Sequence, residues 1–152
     1  MPTQPISLQA LSHDNFDTVV KLQVHPAQRH FVANNDNTIA KAYLDHDAVL
    51  LRVICTENQP VGLLACWCVP SQQQFHLLRF MIDAQYQSLG YGQAAIRLLL
   101  DELREQHDAT AVTLYYREGP GSPRPFYEKL GFSDTGERDG DEFIMRIQLS
   151  TE

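Results

Sequence analysis

One stretch limits what this chain can fold into more than any other: Phe80-Met81-Ile82-Asp83, then Ala84-Gln85-Tyr86-Gln87-Ser88-Leu89-Gly90, then a run with helical period. From Tyr91 to Gln106, apolar residues recur at Ala95, Ile96, Leu99, Leu100 and Leu103, while Arg97, Asp101, Arg104 and Glu105 fall on the other face. The start of this helix matters for what it omits. Its first two turns hold no Asp or Glu, although a carboxylate there would favour the positive end of the helix dipole. Gly90 and Gly92 stand there instead. Without a Cβ they let an anion approach the unpaired N–H groups of the first turn. A ligand phosphate fits this pattern, and so does a tight loop with water on the same donors.

The rest of the chain supplies a sheet for that helix. Ile6 to Leu11 reads as a short strand, and Ser12 can cap a helix to about Val24 with Phe16, Val19, Val20 and Leu22 on its apolar face. His25-Pro26 ends it. Asn37 is expected to cap a second helix, Thr38 to about Leu44. Ala48 to Cys55 and Val61 to Val69 are β-rich runs around the turn Thr56-Glu57-Asn58-Gln59-Pro60, and Pro70 to Gln74 turns into a third strand, Phe75 to Asp83. After the long helix, Thr110 to Tyr116 is a strand that a right-handed crossover lays parallel to the Phe75 strand and beside it. Ser122 is expected to cap a short helix with Pro123 first and Pro125 in its first turn, closed by Gly131 in a left-handed cap. In it Phe126 and Leu130 should pack inward, whereas Tyr127, about a hundred degrees round the axis, need not. Arg138-Asp139-Gly140-Asp141 turns a final hairpin into the strand Glu142 to Leu149. The reading is one α+β domain over residues 1–152, a mixed central sheet flanked by helices in the order β-α-α-β-β-β-α-β-α-β.

Composition excludes several classes. A formal charge of −7 disfavours nucleic acid, whose binding needs clustered Lys and Arg. No apolar run approaches the ~18 residues of a membrane span, and Met1-Pro2-Thr3-Gln4-Pro5 has neither the basic start nor the apolar core of a signal peptide. Cytoplasm is the expected location. Cys55, Cys66 and Cys68 lie in apolar runs with no second pair or nearby His to complete a zinc set, so reduced strand residues are expected, with Cys66 and Cys68 on one sheet face, and no metal.

Gly90-x-Gly92-x-x-Ala95 also matches a dinucleotide fingerprint, but Ala84 to Leu89 separate it from the strand, Glu118 comes late for the ribose acid, and too little chain follows for further βαβ units. No Gly-Lys-Ser or Gly-Lys-Thr is present for a nucleoside-triphosphate loop. Gln87-Ser88-Leu89-Gly90-Tyr91-Gly92 after Phe80-Met81-Ile82-Asp83, together with Phe126-Tyr127-Glu128-Lys129-Leu130-Gly131-Phe132, resembles the GCN5-related N-acetyltransferases (GNAT) in both the acetyl-CoA motif and the Phe-Tyr-x-x-Leu-Gly-Phe signature. Pro120 and Pro123 depart from the Asn and Ala that many members carry before that signature, and Gly119 to Pro125 resembles a Gly/Pro/Ser variant of some members.

The resemblance implies transfer of acetyl from acetyl-CoA to a small-molecule amine, and a possible homodimer. It places the pantetheine arm along Phe80, Met81 and Ile82 and the diphosphate on Gln87, Ser88, Leu89, Gly90, Tyr91, Gly92 and Gln93. Tyr127 matches the tyrosine that protonates the departing thiolate, and a phenol of pKa about 10 can donate at neutral pH. His76 matches the position of a glutamate base in some relatives and titrates in a suitable range. His25, His30 and His46 flank the acceptor walls. The segments His30 to Asn35 and His76 to Asp83 resemble bacterial diamine and polyamine acetyltransferases. A polyamine would draw on carboxylates such as Asp36, Asp45, Asp47, Asp83 or Glu118. An aminoglycoside or an amino-acid amine is the second acceptor, and a CoA-binding module without turnover is the rival of another class.

Overall fold

The computed structural model describes residues 5–29 and 31–149; the expectations for His30 and for residues 1–4 lie outside the described residues. In chain order the elements are β1 (Ile6–Gln9), α1 (Phe16–Val19), α2 (Asn35–Leu44), β2 (Val49–Thr56), β3 (Gln59–Val69), β4 (Gln74–Ile82), α3 (Tyr91–His107), β5 (Ala111–Arg117), α4 (Arg124–Lys129), β6 (Ser133–Asp139) and β7 (Glu142–Gln148), with 3₁₀ turns at Pro26–Gln28, Pro70–Gln72 and Ala84–Tyr86. The strands form one mixed sheet in the order β1-β2-β3-β4-β5-β7-β6, antiparallel except for the parallel pair β4 and β5. The expected α+β class and the β4-α3-β5 crossover hold. The hairpin expected to turn at Arg138 to Asp141 forms between β6 and β7, and its first arm, β6, adds one strand to the element order after α4.

Each face of the sheet carries its own core. On one, Ala95, Ile96, Leu99, Leu100 and Leu103 of α3 and Leu130 of α4 pack on Ile54, Leu64, Phe75, Leu77, Leu114 and Met145. Burying side chains of this kind contributes about 1.5–3 kcal/mol each. Arg52 on β2 reaches Glu102 on α3 at 2.8 Å. On the other face, Val19 and Leu22 with Val32 and Ile39 cover Val53, Leu63 and Met81. Cys66 and Cys68 share the α3 face as expected, and burial, with Cys68 beside it, pushes the Cys66 thiol up to about 12. Among the described residues no cluster of His, Cys, Asp or Glu is arranged to hold a metal, and no helix is long and apolar enough to cross a membrane.

Most local departures from the sequence reading lie in the cover over the second face. The helix expected from Ser12 to Val24 is one turn, Phe16–Val19, after which the chain is drawn down to the sheet: Gln23 N donates to the Asp83 carboxylate at 2.8 Å, and Ala84 N donates to the Gln23 carbonyl. The second helix begins at Asn35 rather than Thr38. Buried Asn35 donates to the Val19 carbonyl at 2.9 Å, so the amide that ties α1 to α2 sits inside the first turn, with Asn34 as N-cap in place of Asn37. Pro123, not Ser122, is the N-cap of α4. The β2–β3 turn is tighter than expected, with Glu57 and Asn58 both at positive φ.

Candidate active site

The parallel pair β4/β5 is joined only at His76 with Thr113 and Leu77 with Leu114, and beyond it the strands part. Part of the reason is on β4, where the register with β3 slips so that Leu78 has no partner between Cys66–Leu77 and Ala65–Arg79. A cleft of about 1080 Å³ opens in the V, lined by Leu77 to Ile82 on one side and Leu114 to Arg117 on the other. Asp83 N donates to Val61 of β3, so by strand alternation Asp83 and Met81 turn their backbone to β3 while Phe80 and Ile82 turn theirs to the cleft. That open edge can receive an extended arm as an added strand.

At the wide end, Gln87, Ser88, Gly90, Gly92 and Gln93 line the cleft, whereas Leu89 projects outward and Tyr91 is buried in the core. Gln87 has a structural part: its Nε2 donates to the Ile82 carbonyl at 2.8 Å and to Gln28 Oε1 at 2.9 Å, fastening the loop to the end of β4 and to the Pro26–Gln28 turn. Ser88 and Gly90 take positive φ, and Gly90 is the N-cap of α3, whose first turn carries no acid. A Cβ on Gly92 would stand 3.2 Å from the Phe80 ring and 3.3 Å from Phe126, which stack with centroids 5.6 Å apart. Glycine at 92 therefore serves aromatic packing as well as access. These donors suit a diphosphate. Gln93→Glu puts a carboxylate in that turn, where it favours the helix dipole but opposes a bound diphosphate. The expected result is an unchanged or slightly higher melting temperature with CoA binding weakened about tenfold or more, read by calorimetry; equal affinity would remove the phosphate from this turn.

Tyr127 corrects the helix-wheel expectation. It is buried, edge-on to Phe126 at 5.3 Å and to Phe132 at 5.9 Å, while Phe126 is the half-buried one. It also lines the cleft, and burial alone holds its phenol well above the usual range, which keeps the hydroxyl protonated at neutral pH. Arg124, unremarked in the sequence, positions α4: it reaches Glu118 at 3.1 Å, Glu128 at 3.4 Å and Asp134 at 2.7 Å. Asp134 also accepts from Tyr116 at 2.9 Å, and burial with that bond pushes the Tyr116 phenol up to about 12.

His76 lies one step outside the lining. Its Nδ1 bonds Thr113 Oγ1 across β4 and β5, and its ring meets Tyr115 edge-on at 6.3 Å. Burial lowers its pKa from 6.5. The folded state thus binds fewer protons than the unfolded one between the lowered value and 6.5. Stability from this site is present above about pH 6.5 and is lost as pH falls through that window. Denaturant unfolding of His76→Gln should show a shallower loss of stability on acidification than the parent; identical slopes would clear His76 of that role.

The acids considered for a cationic acceptor are occupied elsewhere. Asp83 accepts from the backbone of Gln23 and Gln85, Glu118 pairs with Arg124, and Asp36, Asp45 and Asp47 are exposed on and after α2. None lines the cleft, and His25 and His46 do not line it either; of the described lining residues Glu142 is acidic, and Arg29, Arg79, Arg117 and Lys129 are basic.

A family model described as the acetyltransferase (GNAT) family matches residues 17–132. A search of curated proteins finds no match to this chain. Among solved structures, PaiA N-acetyltransferase from Thermoplasma acidophilum in complex with coenzyme A aligns with a TM-score of 0.71 at 16% identity, covering 96% of this chain and 100% of that one. A ribosomal-protein alanine N-acetyltransferase from Escherichia coli aligns at 0.72 and 18%, covering 97% and 96%. A chimera of spermidine N-acetyltransferase from Vibrio cholerae aligns at 0.73 and 16%, covering 94% of each. At such identities the likeness is one of fold.

Proposed function

This chain belongs to the acetyltransferase (GNAT) family and is an acetyl-CoA-dependent N-acetyltransferase, and from that premise we propose that it acetylates a primary amine of a small molecule. What supports the reading most is that one cleft is lined both by the acid-free first turn of α3 and by Tyr127. The diphosphate would rest on N–H groups from Ser88 to Gln93, and the pantetheine arm would pair with the backbone of Phe80 and Ile82. The amine nitrogen forms a bond to the acetyl carbon as the carbon–sulfur bond breaks, and the Tyr127 phenol gives its proton to the departing sulfur. The proton lost by the amine leaves through water, for which His76, behind Thr113 and Tyr115, is the proposed imidazole, and a proton from solvent restores the phenol.

A polyamine is the first acceptor that the sequence resemblance suggests, and one structural neighbour is named for spermidine. Against it stand the four basic side chains of the lining and its single described acid, which favour the amino-acid alternative. Mixing the protein with acetyl-CoA and an amine panel while following free thiol tests the reading. Amine-dependent release is expected. Measurable CoA binding without release for any amine would make this a CoA-binding module instead.

A further inference from the structure

We infer that the acceptor amine also carries an anionic group, a carboxylate or a phosphate monoester, received by the guanidinium of Arg79; this rests on the transferase reading. Arg79 follows the slipped residue Leu78 at the vertex of the V. Opposite Ala65, it alternates with Phe80 of the α3 core, so it stands with Met81 on the face covered by α1 and α2. On β5, Tyr115 and Arg117 share that face, since Leu114 and Tyr116 belong to the α3 core. At this level Phe75, Leu77 and Leu114 pack into the α3 core, whereas Arg79 lines the cleft from the opposite face of β4. Phe31 lines that side and stands within 3.8 Å of where a Cβ on Gly121 would be, closing the roof.

Among the described residues Arg79 has no acidic partner. Ion pairs among the described residues use His46, Arg52, Arg104, Arg117 and Arg124. Arg79 Nη1 donates to the Leu78 carbonyl at 3.1 Å, and its buried Nε–H has no acceptor. A buried N–H left unpaired is costly, and an oxyanion fits a guanidinium edge with two parallel bonds. Arg117, by contrast, already faces Asp141 at 3.8 Å and is in register with Glu142. The diphosphate does not fill the role, because from Arg79 to Ile82 the strand rises about 10 Å and the first turn of α3 lies beyond a further 3₁₀ turn. A diamine would bring a second ammonium toward an unpaired guanidinium.

The test is steady-state thiol release from acetyl-CoA with amino acids and their carboxamides, O-phosphoethanolamine and ethanolamine, and 1,4-diaminobutane. The acid or phosphate member of a pair should be favoured about 10- to 100-fold in kcat/KM, and which pair responds separates carboxylate from phosphate. Arg79→Gln should abolish that preference through the KM of the acceptor while the KM of acetyl-CoA stays within about twofold, and Arg79→Lys should restore part of it. Faster turnover of the diamine or of the uncharged members overturns the inference and leaves the transferase intact. A rise confined to the KM of acetyl-CoA assigns Arg79 to the donor and overturns it too. No release with any amine, with CoA bound, overturns the transferase reading along with it.

Discussion

Replacing Tyr127 by Phe is expected to lower kcat by about 10²–10⁴-fold, the range for loss of a positioned acid, with the melting temperature and CoA affinity close to those of the parent. The substitution removes one hydroxyl and keeps the ring, so the edge-on contacts with Phe126 and Phe132 survive. Single-turnover release of thiol at saturating acetyl-CoA reads the chemical step directly. Turnover within about twofold of the parent would take the acid role from Tyr127. The pH profile offers a second check. In the proposed role the protonated phenol is the active form, and burial raises its pKa, so proton donation is expected to persist upward past the ordinary phenol value of about 10. A fall in kcat at lower alkaline pH must come from another group.

Gly62→Ala is expected to cost about 2–3 kcal/mol of folding stability, toward the upper end for overpacking. Gly62 faces Ile82 across β3 and β4, and a Cβ there would lie 2.3 Å from the Met81 carbonyl oxygen and 2.9 Å from Ile82 Cδ1. A side chain could rotate away, but backbone oxygen in a paired strand cannot move without parting β3 from β4. For a chain of this size the loss should lower the melting temperature by roughly 4–12 °C. The strand displaced is the one whose open edge faces the cleft, so CoA affinity should fall as well. Denaturant unfolding within about 0.5 kcal/mol of the parent, the scatter of an innocuous surface change, would mean that the strands are less tightly joined here than the geometry states.

The features on which the proposed donor half of the site rests are legible in the sequence because their information is local. Gly90, Gly92 and the missing acid occupy one helical turn, and the backbone donors they expose belong to that turn whatever else the chain does. The crossover from β4 through α3 to β5 is legible for a similar reason, since strand, one-sided helix and strand follow one another along the chain. Gln87 falls in the motif as expected, but its bonds to Ile82 and Gln28 depend on a turn far away in the chain. Tyr127 is misjudged as free to face outward because α4 spans only Arg124–Lys129, too short for a periodic pattern to set its buried face. The reading of α1 is too long because nothing near it in sequence announces that Asp83 will capture Gln23.

By itself the sequence determined the family and the α+β class, and it marked the acid-free glycine start of α3 on which the proposed diphosphate site rests, all written in contiguous residues where local backbone geometry is decisive. Tertiary structure alone decided where the charges go. It spent Asp83 and Glu118 on the backbone and on Arg124, left the acids of α2 exposed, and set Arg79, Tyr115 and Arg117 on one face of a split sheet. An isolated arginine in a strand carries no mark of this. Which face it takes follows from a one-residue register slip at Leu78, and its lack of an acid from the pairing of distant strands, neither of which any local pattern encodes.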